Sequence, residues 1–257
     1  MNRAGLTVLL AALASAWALV AAAPAAAASA FADWSAVVVA GDWRAHSGGP
    51  SEAFDNARRD VARAIESAGF THDNIRQFSV RPQRYRDVHP LKSEPRAIYE
   101  ALADLARRNP GGCLVYFSSH GAPQGVLVNN SVLPPGTLDA MLDEACGARP
   151  TIVVISACFS GVFIPQLAGP DRMILTAARP DRTSFGCGEA DKYPFFDDCF
   201  LQGMRTAGAF PELAAFVQAC IARREVEEGA TPPSEPQVWI GETLRPLLPL
   251  YRFAQTP

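Results

Sequence analysis

The eleven residues from Thr151 to Gly161 read T-I-V-V-I-S-A-C-F-S-G, and they limit what the whole chain can fold into. Four β-branched apolar residues, Ile152, Val153, Val154 and Ile155, run together without a charge. Alternating polarity would mark a strand with one wet face. An unbroken run marks a strand covered on both faces, as in the centre of a parallel sheet. The run ends at Ser156-Ala157-Cys158 and is followed by Ser160-Gly161. Small residues on both sides let the backbone turn sharply and leave Cys158 at the carboxyl edge of the sheet, where open α/β folds place their chemistry. A helix starting just beyond would put Cys158 at its positive end, which favours a thiolate. Free cysteine is also among the most buried residue types. From this stretch alone a core thiol and a reactive one are equally good readings.

A second stretch shifts the balance. Gly112 to Gly121 reads G-C-L-V-Y-F-S-S-H-G: an apolar strand over Cys113 to Phe117, two small polar residues, then His120-Gly121. Two neighbouring strands of one parallel sheet end at the same edge, so one would present a histidine and the other a cysteine. That is a Cys/His constellation for nucleophilic catalysis. The separation, 158 − 120 = 38 residues, leaves room for the crossover helix that a parallel pair requires.

A histidine-glycine pair after one strand and x-A-C-x-S-G after the next resembles the legumain-like cysteine peptidases and, more distantly, the caspases. Leu175 to Cys187, L-T-A-A-R-P-D-R-T-S-F-G-C, resembles the legumain stretch A-A-N-P-R-E-S-S-Y-A-C that follows the next strand. The similarity runs from about Trp34 to Gly241. It implies a caspase-like strand order and a cysteine endopeptidase acting on peptide or protein substrates through a thioester.

The rest of the chain fits one such domain. With 257 residues, about half of them hydrophobic, and a net charge of −3, nothing argues for a nucleic-acid partner. Met1 to about Ala30 reads as a targeting segment: Arg3 supplies the positive end, Leu6 to Val20 the apolar core, and Ala28-Ser29-Ala30 the cleavage pattern. Cleavage after Ala30 would start the mature chain at Phe31, exported to the periplasm or secreted, without stable membrane insertion. Retained, the same stretch is long enough to be an anchor. The expected layout is therefore a signal peptide over 1–30 and a peptidase domain over 31–257. Cys113, Cys146, Cys158, Cys187, Cys199 and Cys220 show no C-x-x-C spacing, so no structural zinc is expected. If Cys158 stays free, at most two bridges form. Cys187 and Cys199, which flank one loop, are the expected pair in an oxidising compartment.

The remaining periodicity predicts strands at Phe31–Val39, Ile75–Val80, Arg172–Ala177 and Gln237–Ile240. Helices are predicted over Glu52–Ala68, from Ser93 to before Asn109, over Thr137–Cys146, Phe195–Thr206 and Glu212–Glu228. Ser51 and Ser93 are the candidate caps of the first two. Gly125–Val128 and Ser131–Leu133 flank Asn129-Asn130, a hairpin signal. Arg81 to Lys92 is a basic loop expected to be solvated, and Asp181 to Pro194 a long polar loop at the sheet edge. This order makes an α/β fold, a three-layer α/β/α sandwich on a mostly parallel central sheet.

Peptide hydrolysis then needs a thiolate, a proton donor for the leaving amine and donors for the oxyanion. Cys158 is the expected nucleophile and His120 the general acid/base. The resemblance gives the backbone N–H groups of Gly121 and Cys158 to the oxyanion hole. No cofactor and no metal is required. Legumain has a glutamate where this chain has Ser156, and the Asn, Arg and His of its first loop have no counterpart in register within Gly41 to Ser51. Asp42 is the one candidate there for a third catalytic residue. Thr183, Ser184 and Asp197 match pocket positions of the family, though each also suits a loop hydrogen bond, and Ser156 stands at the pocket position of the missing glutamate. With the glutamate gone, no strong preference for cleavage after Asn is expected. A transamidase or peptide ligase of the same family, and a catalytically silent peptide-binding module, are the alternative readings.

Overall fold

The computed structural model describes residues 29–254. The expected targeting segment lies outside them apart from Ser29 and Ala30. In chain order the elements are β1 (Ser35–Ala40), α1 (Ala53–Ser67), β2 (Ile75–Ser79), β3 (Leu91–Lys92), α2 (Pro95–Arg108) and β4 (Cys113–Ser118). There follow β5 (Gly121–Ala122), β6 (Gly125–Val128), β7 (Ser131–Leu133), α3 (Pro135–Cys146) and β8 (Thr151–Ser156). The last are α4 (Ile164–Leu167), β9 (Arg172–Thr176), α5 (Phe195–Met204), α6 (Phe210–Glu227) and β10 (Gln237–Ile240).

Seven strands form one sheet in the order β10-β9-β8-β4-β1-β2-β3, and only the β10–β9 pair is antiparallel. The uninterrupted apolar runs take the inner places, and the more polar β2 has only the two-residue β3 outside it. Strand side chains alternate between two cores. Val38, Leu114, Tyr116, Ile152 and Val154 pack with α1, α5 and α6; Val37, Val39, Val115, Phe117, Val153 and Ile155 pack with α2, α3 and α4. Each buried Val or Ile contributes about 1.5–3 kcal/mol of hydrophobic stabilisation, so a charge in any of these runs would be poorly tolerated. The sheet is thus the middle of an α/β/α sandwich. No helix among the described residues is long and apolar enough to cross a membrane.

Several local expectations change. Ser51 does accept the Ala53 N–H at 3.1 Å at the start of α1. Ser93 does not cap α2: its hydroxyl donates to the Ala40 carbonyl at 2.7 Å and so joins that helix to the end of β1. The expected Cys187–Cys199 bridge is absent. Cys113 is bonded to Cys146 and Cys199 to Cys220, leaving Cys158 and Cys187 free. The reason is spatial: Cys199 is fully buried on the face of α5 that packs on α6, whereas Cys187 belongs to the loop over the sheet edge. Nor is the Arg81–Lys92 loop merely solvated. Arg81 donates to the Ser51 carbonyl and the Glu52 carboxylate (3.1 and 3.0 Å), and its guanidinium lies 4.9 Å from the Trp43 ring.

Candidate active site

Strand register brings the two expected catalytic residues to one level. β4 and β8 are adjacent and parallel, with Cys113 opposite Thr151 and, at the last rung, Ser118 opposite Ser156. His120 and Cys158 each lie two residues past that rung, on the carboxyl edge. Beyond it the two chains diverge. After His120 the backbone enters the three-stranded β5-β6-β7 sheet, whose turn holds Asn129 at a φ of 59°, a conformation that Asn tolerates better than most residues. After Cys158 it turns through Phe159, whose φ of 56° is left-handed, into a short 3₁₀ turn over Ser160–Phe163 and the four-residue α4. No long helix begins at Cys158, so the expected help from a helix terminus does not apply. A bulky residue held left-handed is costly backbone, and the Phe159 N–H bond to the Arg182 carbonyl (2.7 Å) helps fix it.

The imidazole of His120 is oriented from the opposite wall. Its Nε2 lies 2.9 Å from the main-chain carbonyl of Arg44. A carbonyl only accepts, so Nε2 carries the proton there and Nδ1 is the ring nitrogen left unengaged by this bond. The Phe54 ring meets the imidazole edge to face, with centroids 5.0 Å apart. Sequence reasoning missed the Arg44 carbonyl because every residue has a carbonyl. The only trace of it was the acidic residue two positions earlier. Asp42, considered there as a third catalytic residue, does not hydrogen-bond His120. Its buried Oδ1 accepts the Trp43 N–H (2.7 Å), the Arg44 N–H (3.3 Å) and Arg44 Nε (3.2 Å). It therefore folds the turn that aims the Arg44 carbonyl. An Arg44–Pro50 bridge closes this loop, and the His46 N–H and Ser51 hydroxyl tie it to Cys187 and Gly188 across the cleft.

Cys158 is half-buried against Ser184. The Ser184 N–H donates to Sγ at 3.3 Å, and Sγ reaches the Ser184 carbonyl at 3.5 Å and hydroxyl at 3.6 Å. Sulfur and imidazole are not hydrogen-bonded to each other; such contacts are often loose before a substrate binds. Cys187 is the second free thiol. Burial first, then the negative charges of Cys158 and Asp191, push Cys187 up to about 11, so it stays protonated near neutral pH.

Gly121 is fixed by contact with the backbone of Cys158. A Cβ there would overlap the Cys158 carbonyl oxygen and crowd the Ala157 methyl, so the two backbones touch only because no side chain intervenes. Leu127 donates to the His120 carbonyl at 2.9 Å. By the alternation of an antiparallel ladder, the neighbouring Gly121–Val126 pair is non-bonded and the Gly121 N–H points away from β6. Among the described residues the Cys158 N–H has no backbone acceptor outside the regular ladders. The four positions matched to a family pocket separate into two groups. Thr183 is exposed and Ser184 half-buried in the loop beside the sulfur, whereas Ser156 and Asp197 are buried and bonded to each other at 2.7 Å.

The sequence profile of the peptidase C13 family matches residues 105–209, which span both His120 and Cys158. No curated protein matches the sequence significantly. Among solved structures, caspase-1 from Spodoptera frugiperda is similar in fold, with a TM-score of 0.59 and 14% identity over 82% of this chain and 87% of that one. The profile match suggests a cysteine-peptidase type of function, and the structural likeness bears on the fold alone.

Proposed function

We propose that the chain, whose residues 105–209 match the peptidase C13 family and whose fold is similar to that of a caspase, is an exported cysteine endopeptidase of the legumain-like kind. The observation that carries this reading is the pair of strand ends. His120 and Cys158 stand two residues past one shared rung, with the imidazole already turned by the Arg44 carbonyl. The Cys158 thiolate attacks a peptide carbonyl, and the N–H groups of Gly121 and Cys158 take the negative charge that develops on oxygen. Protonated His120 gives its Nδ1 proton to the leaving amine while the Arg44 carbonyl holds Nε2–H. The amine departs and leaves a thioester. His120, now neutral, takes a proton from water as the water attacks, and the acid product and free thiol are released. A neutral hydrogen bond of this kind is worth about 0.5–1.5 kcal/mol.

Cleavage after asparagine is not expected to dominate. Ser156 stands where the related enzymes have a carboxylate, and its hydroxyl is already committed to Asp197. Losing a charged hydrogen-bond partner costs about 1.5–3 kcal/mol, or roughly 10–100-fold if realised in the transition state. Digestion of a peptide library by the mature protein, with Cys158→Ala as control, tests both points. Cuts that disappear in the variant, without an exclusive Asn preference, are expected. Cuts that persist in the variant would overturn the assignment, and a strict Asn preference would overturn the specificity reading. Adding an amine-bearing acceptor peptide to the same digest separates hydrolysis from transfer.

A further inference from the structure

Directly beneath the strand ends lies a carboxylate that the chemistry above does not use. Asp197, in the first turn of α5, is fully buried. Its Oδ1 accepts the Tyr116 hydroxyl at 2.6 Å; its Oδ2 accepts Ser118 at 2.9 Å and Ser156 at 2.7 Å. Those serines are the opposed pair on the last rung of the β4–β8 ladder, one preceding His120 by two residues and the other preceding Cys158 by two. One oxygen therefore ties together the two strands that carry the proposed dyad, and the other holds the first of them again at Tyr116. Ser118, Ser156 and Tyr116 share the strand face that packs on α5, so the carboxylate reaches all three from one side.

Burying a carboxylate away from cations costs several kcal/mol. Among the described residues no Lys, Arg or His forms an ion pair with Asp197. Burial pushes its carboxyl up to about 7, and the hydroxyls of Tyr116, Ser156 and Ser118 only partly offset this. A group held at that cost has both oxygens turned to strand hydroxyls and none toward the cleft.

We propose that Asp197 is a positioning residue for the catalytic pair: through Ser118 and Ser156 it sets the strand ends that carry His120 and Cys158, and it does not read the substrate side chain. This rests on the peptidase reading, and it assigns Asp197 and Ser156 to support of the dyad in place of the pocket suggested by their sequence positions.

The test compares Asp197→Ala, Asp197→Asn and Ser156→Ala with the wild type in two assays. Peptide-library kinetics should show kcat for Asp197→Ala lowered about 10- to 100-fold with KM within about twofold, as a sub-ångström misplacement of reacting groups produces. The ranking of residues preceding the cut should not change. Asp197→Asn, which keeps a polar group of the same shape, should recover most of the loss. The second assay is the rate of Cys158 alkylation by iodoacetamide, which should fall in the same order and needs no peptide turnover. If the wild type cleaves no peptide, the peptidase reading fails while the alkylation series still decides the positioning role. A changed residue ranking would make Asp197 a pocket residue and overturn the proposal. So would a variant of reduced thermal stability whose folded molecules keep the wild-type kcat and alkylation rate. If Asp197→Ala does not fold, Ser156→Ala decides alone: unchanged kcat and alkylation rate there would also overturn it.

Discussion

The two walls of the cleft deliver their reacting groups by different means. On one side, His120 and Cys158 arrive by strand register, held by a parallel ladder whose rungs run without interruption from Cys113–Thr151 to Ser118–Ser156. On the other, the Arg44 carbonyl arrives by a turn that one buried carboxylate, Asp42, folds with three hydrogen bonds. The ladder is continuous with both hydrophobic cores, so its ends can shift only by fractions of an ångström, whereas loss of a side chain they carry removes the reacting group outright. The turn rests on a few local bonds and can relax in small steps. Loss of either side chain that ends a strand should therefore be nearly all-or-none, and damage in the loop should be graded.

The largest effects are expected at the two side chains that end the strands. Cys158→Ala and His120→Ala should each lower kcat/KM at least about a thousandfold, roughly 4 kcal/mol of transition-state stabilisation. Circular dichroism and the unfolding midpoint should stay close to wild type, because neither side chain belongs to a core. Substantial peptidase activity in either purified variant would remove the asymmetry altogether. Next comes Gly121→Ala, whose methyl must displace the Cys158 backbone. A loss of about 100-fold in kcat, the usual scale for disturbing an oxyanion donor, is expected in steady-state kinetics.

The loop should respond more mildly. Asp42→Ala removes hydrogen bonds worth about 0.5–1.5 kcal/mol each and should lower kcat about tenfold, through a misdirected Arg44 carbonyl. Asp42→Asn keeps an oxygen for the Trp43 and Arg44 N–H groups and should recover most of that rate. If Asp42→Ala were as inactive as His120→Ala, the turn would be on the same footing as the ladder and the comparison would fail.

How far this division was legible in the sequence follows from its physics. Unbroken β-branched runs and the small residues after them are written in side chains, so β4, β8 and their terminal His120 and Cys158 could be read directly. The hairpin could be read as well, since Asn129-Asn130 names its turn. The loop wall is a main-chain device. Nothing in the side chain of Arg44 announces that its carbonyl meets His120, and Asp42 was noticed only as an acid near the right place. Cysteine pairing differs from the sequence expectation for a related reason. Cys187 and Cys199 are neighbours along the chain, but Cys199 points into the α5–α6 packing, toward Cys220. Ser156 and Asp197 were matched to a pocket by position, because a linear match does not show that their polar atoms face each other.

The last expectation concerns stability and pH on the strand side. Folded Asp197 holds its proton up to about 7, above its ordinary 3.8. Between those values the folded state binds more protons than the unfolded one, so stability from this group is present at low pH and is lost as pH rises toward 7. The loss is on the order of a few kcal/mol at most. Denaturant midpoints at pH 4.5 and 7.5 should show a steeper decline for wild type than for Asp197→Asn. Equal slopes would mean that this carboxyl titrates in the ordinary range.

The proposed chemistry depends on Cys158, served by His120, being the nucleophile at the strand ends. Its most direct test is to treat the mature protein with an electrophilic peptide probe and map the adduct by mass spectrometry. A single adduct on Cys158 is expected, with none on the protonated thiol of Cys187 and slow labelling of Cys158 in the His120→Ala variant. An adduct on Cys187, or an unlabelled Cys158 in a preparation that cleaves peptides, would contradict it.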